Sequence, residues 1–232
     1  MDASLRALRK DPRLAALIKK HGRPNILRDM GYFQSLVRSI IYQQVTGLAA
    51  AAIMTRFVAL FPTSSFPTPK QVHEKSVEEL RNAGLSGKKA SYIKDLALKF
   101  SDGTIREQEL GTMSTPDILE HLVQVKGVGV WTVHMFMIFT LGRLDVLPVG
   151  DLGVRKGMQV VYKLRELPTA QKMEQLAKPW RQHASVAAWY MWRVADDNKL
   201  KKPVVVESKN ARTNTTSNIS KSSNRTSKKR TH

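Results

Sequence analysis

Between Val125 and Phe136 the chain reads VKGVGVWTVHMF, with Gly127 and Gly129 two residues apart inside sequence that otherwise has helical character. Glycine reaches backbone conformations closed to other residues, so the pair predicts a tight turn between two helices, DILEHLVQV before it and VWTVHMFMIF after it. The first turn of a helix carries N–H groups with no intrahelical partner, and the helix dipole adds positive charge there. Such a turn suits an anion, and with no glycine side chain in the way a phosphate can approach closely. By itself, G-V-G between helices serves equally well as a structural corner. Further on, Asp151 in VLPVGDLGVRK stands 24 residues after Gly127, where its own sequence context makes it a helix N-cap.

Charge points the same way as the turn. The 232 residues hold 38 Lys and Arg against 19 Asp and Glu, a formal net charge of +19 that favours polyanionic partners, nucleic acid first and an anionic membrane second. From Lys199 to His232 there are ten basic residues and one acid, so +9 belongs to this tail and +10 remains on residues 1–198. The tail reads as a disordered basic segment, and its SKKR run (227–230) as a nuclear import signal or a DNA-holding arm. The absence of cysteine excludes disulfides, thiolate zinc sites and Cys-ligated iron–sulfur clusters. No apolar run approaches the length of about 18 residues that a membrane helix needs, and no signal-peptide core is present, so a membrane partner is not expected.

The elements that must carry these residues are helices. Apolar spacing predicts helices starting near Ser4, Pro12, Tyr32, Gly47, Ser76, Gly87, Thr115, Val130, Asp151, Gln171 and His183, with no convincing strand alternation. FPTSSFPTPK (61–70) reads as a linker-like loop, and Ser114 or Thr115 with Pro116 as a helix start. The expectation is an all-α protein with one folded domain over residues 1–198, the hairpin at about 118–140.

VKGVGVWT followed by VLPVGDLGVRKGMQ resembles the helix-hairpin-helix (HhH-GPD) DNA glycosylase superfamily, in which a Gly-rich hairpin precedes the catalytic Asp by about 25 residues. The similarity extends through FQSLVRSIIYQQVTGLAAAAI, LRNAGLSGKKASYIKDLALKF and KPWRQHASVAAWYMWR, covering roughly residues 10–195. It is nearest to the alkylpurine, 3-methyladenine type II branch. Members that also cut the strand carry a lysine two residues after the second hairpin glycine, where this chain has Trp131, so the resemblance implies base excision by water without lyase chemistry. It also implies a two-lobed fold, with the cleft between an N-terminal lobe and the hairpin lobe.

The resemblance assigns roles by position. Asp151 would be the catalytic carboxylate, since cleavage of an N-glycosidic bond passes through an oxocarbenium-like sugar that a nearby carboxylate stabilises. Flipping the base leaves a gap in the duplex, and Gln43 and Gln44 fall in the wedge region, with Gln44 the candidate intercalator and a helix-end surface residue as its plain alternative. Trp131, Trp189 and Tyr42 are the candidate aromatic faces for a cationic base, while Trp180, Trp192 and Tyr190 read as core. Met135 and Leu152 stand where a bacterial relative has pocket tyrosines, which narrows the expected range to 3-methyladenine and 7-methylguanine. Lys88, Lys89, Lys126, Arg155 and Lys156, with the backbone of Gly127, Val128 and Gly129, would hold DNA phosphates.

No cofactor and no catalytic metal is expected, since His121, His134 and His183 lack partners at ligand spacing; a monovalent cation on hairpin carbonyls around Gln124 to Val128 would be structural. The implied partner is double-stranded DNA with alkylated bases, bound by a monomer, in the nucleus if the tail is an import signal. Two alternatives stay open: a catalytically silent binder of damaged or abasic DNA on the same fold, and a mismatch-specific glycosylase.

Overall fold

Helix starts in this chain are set by short polar side chains. Asp11, Thr46, Thr68, Ser76, Ser86, Ser114, Asp151 and Thr169 each accept a hydrogen bond from a backbone N–H in the first turn of the following helix. Each such cap stabilises a helix by about 1 kcal/mol and fixes where it begins. The computed structural model describes residues 1–26, 30–62 and 65–201, and among these it contains helices and no strand. The basic tail read from the sequence lies, from Lys202 onward, outside the described residues.

Twelve α-helices follow in order among the described residues: α1 (Asp2–Leu8), α2 (Pro12–His21), α3 (Tyr32–Tyr42), α4 (Gly47–Ala59), α5 (Pro69–Glu74), α6 (Val77–Asn82), α7 (Gly87–Ser101), α8 (Thr115–Val123), α9 (Val130–Phe139), α10 (Leu152–Val161), α11 (Ala170–Ala177) and α12 (Ala184–Lys201). Eleven coincide with the helices read from periodicity. The exception is α5, which begins inside the segment read as a loop: Thr68 and Gln71 form a reciprocal capping box with Pro69 at the first position. The Pro-, Ser- and Thr-rich stretch that leads into it has the composition of a loop, and the capping box is the signal that marks the helix start.

The helices pack as two groups. In one, α3 runs against α4, α7 and α9, with α5 and α6 on α7 and α8 on α9; in the other, α12 packs on α10, α2 and α1. Both ends of the folded chain therefore meet in one lobe, and the hairpin shares the other with α3, which corrects the expectation of an N-terminal lobe facing a separate hairpin lobe.

Leu36, Val37, Ile40 and Ile41 of α3, Ile93 and Leu96 of α7, and Val133, Phe136 and Met137 of α9 are buried together, each aliphatic side chain worth about 1.5–3 kcal/mol when removed from water. The helix α9 is apolar on nearly every side, as a central helix should be. In the terminal lobe Leu14, Ile18, Val154, Met158 and Met191 form the core, and the buried Tyr190 satisfies its hydroxyl by donating to the Gly22 carbonyl at 2.7 Å.

The tightest helix contact lies between α10 and α12. A Cβ on Gly157 would stand 2.2 Å from the Met191 carbonyl oxygen, and one on Gly153 would stand 2.8 Å from Cδ1 of Trp192. Two glycines one turn apart thus let α12 come down onto α10, and this sets the position of Trp192.

Candidate functional site

A cleft of about 620 Å³ opens where the two lobes meet, within the size range of small-ligand sites. One wall comes from α3 and the residues after it (Arg38, Ser39, Tyr42, Gln43, Gln44), the floor from α9 (Trp131, Thr132, Met135, Phe139), and the other wall from Asp151 and Trp192.

Asp151 is 8% exposed and held by three donors. Its Oδ1 accepts the Val154 N–H at 2.8 Å, capping α10, and the Trp192 indole N–H at 2.8 Å; its Oδ2 accepts the Trp131 indole N–H at 2.7 Å. A carboxylate offers roughly four acceptor positions. Three are used, so the remaining one is on Oδ2, at the cleft. The dipole of α10 favours negative charge at this place. Trp192 is backed by Phe139, whose ring stacks on it at 5.5 Å, whereas Trp131 remains 47% exposed.

The hairpin between α8 and α9 matches the turn read from VKGVGVWT, with one correction. Gly127 has φ +78°, and a Cβ there would lie 2.1 Å from the Tyr92 ring, so only glycine fits. Gly129, at φ −96°, has an ordinary backbone and nothing within 4 Å of a built Cβ. Its contribution is openness: it caps α9 without a side-chain hydrogen bond and leaves the first-turn N–H groups accessible. The turn is anchored by Asp95, which accepts the Lys126 N–H at 2.9 Å and pairs with Lys99 at 2.8 Å. Burial alone would raise the Asp95 carboxyl, but these bonds and the two lysine charges hold it below the usual aspartate range.

A second linkage joins the hairpin to the end of α3. The Gln43 amide donates to the Gly127 carbonyl at 2.9 Å, and the Lys89 ammonium donates to the carbonyls of Ile41 and Gln43, both at 2.7 Å. Gln44 follows with φ +53°, a left-handed conformation that is uncommon outside glycine, and its side chain is exposed. Val45 and Leu48 beside it are exposed apolar residues, Leu48 at 89%.

The structure therefore gathers Asp151, Trp131, Tyr42, Met135, Gln43 and Gln44 at one cleft. Several expectations are corrected. Trp189 does not line it, lying edge-on to Tyr190 and under the Arg193 guanidinium, because the face of α12 that meets Gly153 and Gly157 carries Met191 and Trp192. Trp192, read as core, takes that place. Leu152 is 51% exposed and outside the cleft lining. Tyr42 lines the cleft, but a guanidinium, Arg38, already covers its ring.

The basic residues also divide. Lys88 and Lys156 are exposed, and Lys126 is exposed with its ammonium 4.0 Å from Asp95. Lys89 is turned inward onto carbonyls, Arg155 donates to the Pro168 carbonyl at 3.0 Å, and the Val128 side chain is buried, leaving only its backbone for a partner. Of the hairpin carbonyls considered for a cation, that of Gly127 accepts the Gln43 amide and that of Val125 the Val128 N–H, and each keeps a second lone pair; neutral oxygens of this kind fit a monovalent cation. No helix among the described residues is long and apolar enough to cross a membrane.

Comparison with known proteins places this geometry. Residues 37–182 match the model of the HhH-GPD superfamily of base excision DNA repair proteins. The chain is 34% identical to DNA-3-methyladenine glycosylase 1 of Schizosaccharomyces pombe, over 74% of this chain and 76% of that protein. It is 31% identical to the alkylbase DNA glycosidase-like protein mag2 of the same organism, over 79% and 88%. Among solved structures it is similar to the S. pombe 3-methyladenine DNA glycosylase Mag1 in complex with abasic DNA, with a TM-score of 0.73 and 32% identity, covering 82% of this chain and 95% of that one. It is also similar to a DNA-3-methyladenine glycosidase of Bacillus halodurans, with a TM-score of 0.76 and 35% identity, covering 84% and 89%.

Proposed function

The chain belongs to the HhH-GPD superfamily of base excision DNA repair proteins, and from that premise we propose that it binds duplex DNA and excises alkylated purines, 3-methyladenine and 7-methylguanine, without cutting the strand. The observation that carries this reading is the Asp151 carboxylate, fixed by two indole N–H groups and a helix N-terminus, with its free acceptor position at a cleft large enough for a base.

In this reading the hairpin N–H groups hold a backbone phosphate beside the damaged nucleotide. Gln44 enters the stack in place of the flipped base, which costs least to extrude when damaged. The C1′–N bond breaks with its electron pair leaving on the base, and a cationic methylated purine departs neutral, so no dedicated general acid is required. Asp151 Oδ2 faces the oxocarbenium-like sugar and the water that adds to C1′, whose proton passes to the carboxylate or to solvent. Trp131 occupies the place where a strand-cutting relative has its amine, and an indole forms no Schiff base.

We further propose that the protein acts as a monomer and that the SKKR run (227–230) serves as a nuclear import signal or as a DNA-holding arm. Single-turnover release of free base from methylated duplex, alongside binding to the same DNA, tests the central reading for the parent and for Asp151→Asn. Release without nicking by the parent and binding without release by the variant is the expected result. A parent that binds abasic DNA and releases nothing would make the protein a silent damage binder and Asp151 a helix cap.

A further inference from the structure

On the terminal lobe, a second cavity of about 820 Å³ opens between the α1–α2 turn and the 3-10 helix Lys178–His183 that leads into α12. Lys10, Asp11 and Arg13 line it from the turn, and Lys178, Arg181 and His183 from the 3-10 helix. Asp11 is matched within the turn itself: its carboxylate accepts the Arg13 N–H at 2.8 Å to cap α2 and lies 3.8 Å from the Arg13 guanidinium. The charges of Lys10, Lys178 and Arg181, all exposed residues, are thus left as a positive excess around one concavity. His183 adds a donor or acceptor, since its Nδ1 is shielded from solvent and has no hydrogen-bond partner among the described residues. Buried polar atoms are nearly always partnered, and a ligand in the cavity would supply the partner here.

The fold sets the distance of this cavity from Asp151. Tyr162 ends α10, and its hydroxyl accepts the Trp180 indole N–H at 3.1 Å, so the 3-10 helix lies at the end of α10 opposite Asp151. Ten helical residues separate the two ends, about 15 Å at 1.5 Å per residue. The Arg181 charge is also felt on α9, where burial and that charge together hold His134 below the ordinary histidine value. His134 stands four residues after Val130, with which α9 begins at the hairpin. We propose that this cavity is a second phosphate-binding site, which takes a backbone phosphate of the duplex away from the lesion. Ammonium, guanidinium and imidazole groups around one concavity suit the several acceptor oxygens of a single phosphate. Duplex DNA rises about 3.4 Å per base pair, so the offset from Asp151 corresponds to about four to five base pairs. The inference rests on the DNA-binding part of the proposed function and is independent of base excision.

The test compares the full chain with a variant carrying Lys10→Met, Lys178→Met and Arg181→Met together, thermal melts confirming that both are folded. Affinity for abasic duplexes is measured against salt on three substrates. One extends about ten base pairs to each side of the lesion, and each of the others is cut to about three on one side, short of the four to five that the offset requires. On the full duplex the slope of log affinity against log salt should be shallower by about one in the variant, the loss of one neutralised phosphate. The same difference should persist on one shortened duplex and vanish on the other. A difference that survives on both shortened duplexes would make these residues a diffuse positive field and overturn the proposal. So would a variant with the parental slope on every substrate. Inorganic phosphate titrated into both proteins, followed by the imidazole NMR signals of His183, separates the remaining source of the same chemistry. A response in the parent that the variant lacks, with parental slopes on DNA, would assign the cavity to a free phosphate and overturn its role on the duplex. A parent that binds none of the duplexes would sink the DNA-binding reading itself, an outcome distinct from a parent that binds them and a variant that matches it.

Discussion

Trp192 and Asp151 meet at 2.8 Å, indole N–H to Oδ1, from two helices whose close approach depends on Gly153 and Gly157. The same oxygen caps α10, so the orientation of the carboxylate is set jointly by its own helix and by α12. Replacing Trp192 with Phe keeps a flat ring against Phe139 and removes the N–H. A hydrogen bond to a charged group is worth about 1.5–3 kcal/mol, so single-turnover base release should fall roughly ten- to a hundred-fold. Affinity for abasic DNA, measured in parallel, should change little, because the indole contacts the carboxylate and does not define the hairpin or the wedge. An equal loss in both would assign Trp192 to packing alone.

The hairpin glycines should respond in opposite ways. At Gly127, Ala meets the Tyr92 ring in a left-handed backbone and should destabilise the fold by about 1–3 kcal/mol, as overpacking does. At Gly129, Ala meets nothing and adopts the existing backbone, so the melting temperature should hold. Its methyl group nonetheless sits at the open start of α9, and DNA affinity should drop. Thermal melts and DNA titrations of the two variants separate these effects; a Gly129→Ala protein that binds DNA like the parent would remove the α9 terminus from the DNA contact.

These glycines also show what the sequence made legible. G-V-G spacing announced the turn, and the family position announced Asp151, because both are local patterns. That only Gly127 needs its conformation was hidden, since the reason is Tyr92, 35 positions away in α7. The exchange of Trp189 for Trp192 has a similar cause: both stand on one helix, and which of them meets Asp151 depends on the depth at which α12 sits on α10. The signal was present in GVRKG, a pair of glycines four apart on a helix that has no other use for them. Leu48 is an exposed leucine that no periodic pattern distinguishes from a buried one.

Acid should loosen the hairpin through Asp95. Its carboxyl is held below the usual range in the folded protein, so the stabilisation it gives is complete above the unfolded value and is lost as the pH falls through the lower, folded value. Acid unfolding followed by circular dichroism should therefore show a limb below about pH 4, and Asp95→Asn should be less stable at neutral pH and flatter in that limb. Hydrogen exchange of the Lys126 N–H should accelerate in the variant even where the global fold persists, because Asp95 accepts that bond directly. An unchanged acid limb would place the pH-sensitive group elsewhere.

Lys89 provides the sharpest separation between a structural and a DNA-binding lysine. Its ammonium donates to the carbonyls of Ile41 and Gln43, and burial lowers its pKa from the ordinary lysine value. These are carbonyls at the end of α3, where the helix itself supplies no further donors. The next residue is Gln44, in its left-handed conformation. Lys89→Met leaves those oxygens without the ammonium and should cost about 1–3 kcal/mol of stability. A lysine that neutralises a phosphate changes the slope of log affinity against log salt by about one when removed. For Lys89 the slope should stay at the parental value, while base release falls because the wedge loop is no longer fixed against the hairpin. Lys126→Met, at an exposed hairpin residue, should behave in the reverse way, with the slope reduced and the melting temperature held. If the Lys89 variant instead melts like the parent and loses a unit of slope, the inward bonds to α3 give way to phosphate when DNA binds.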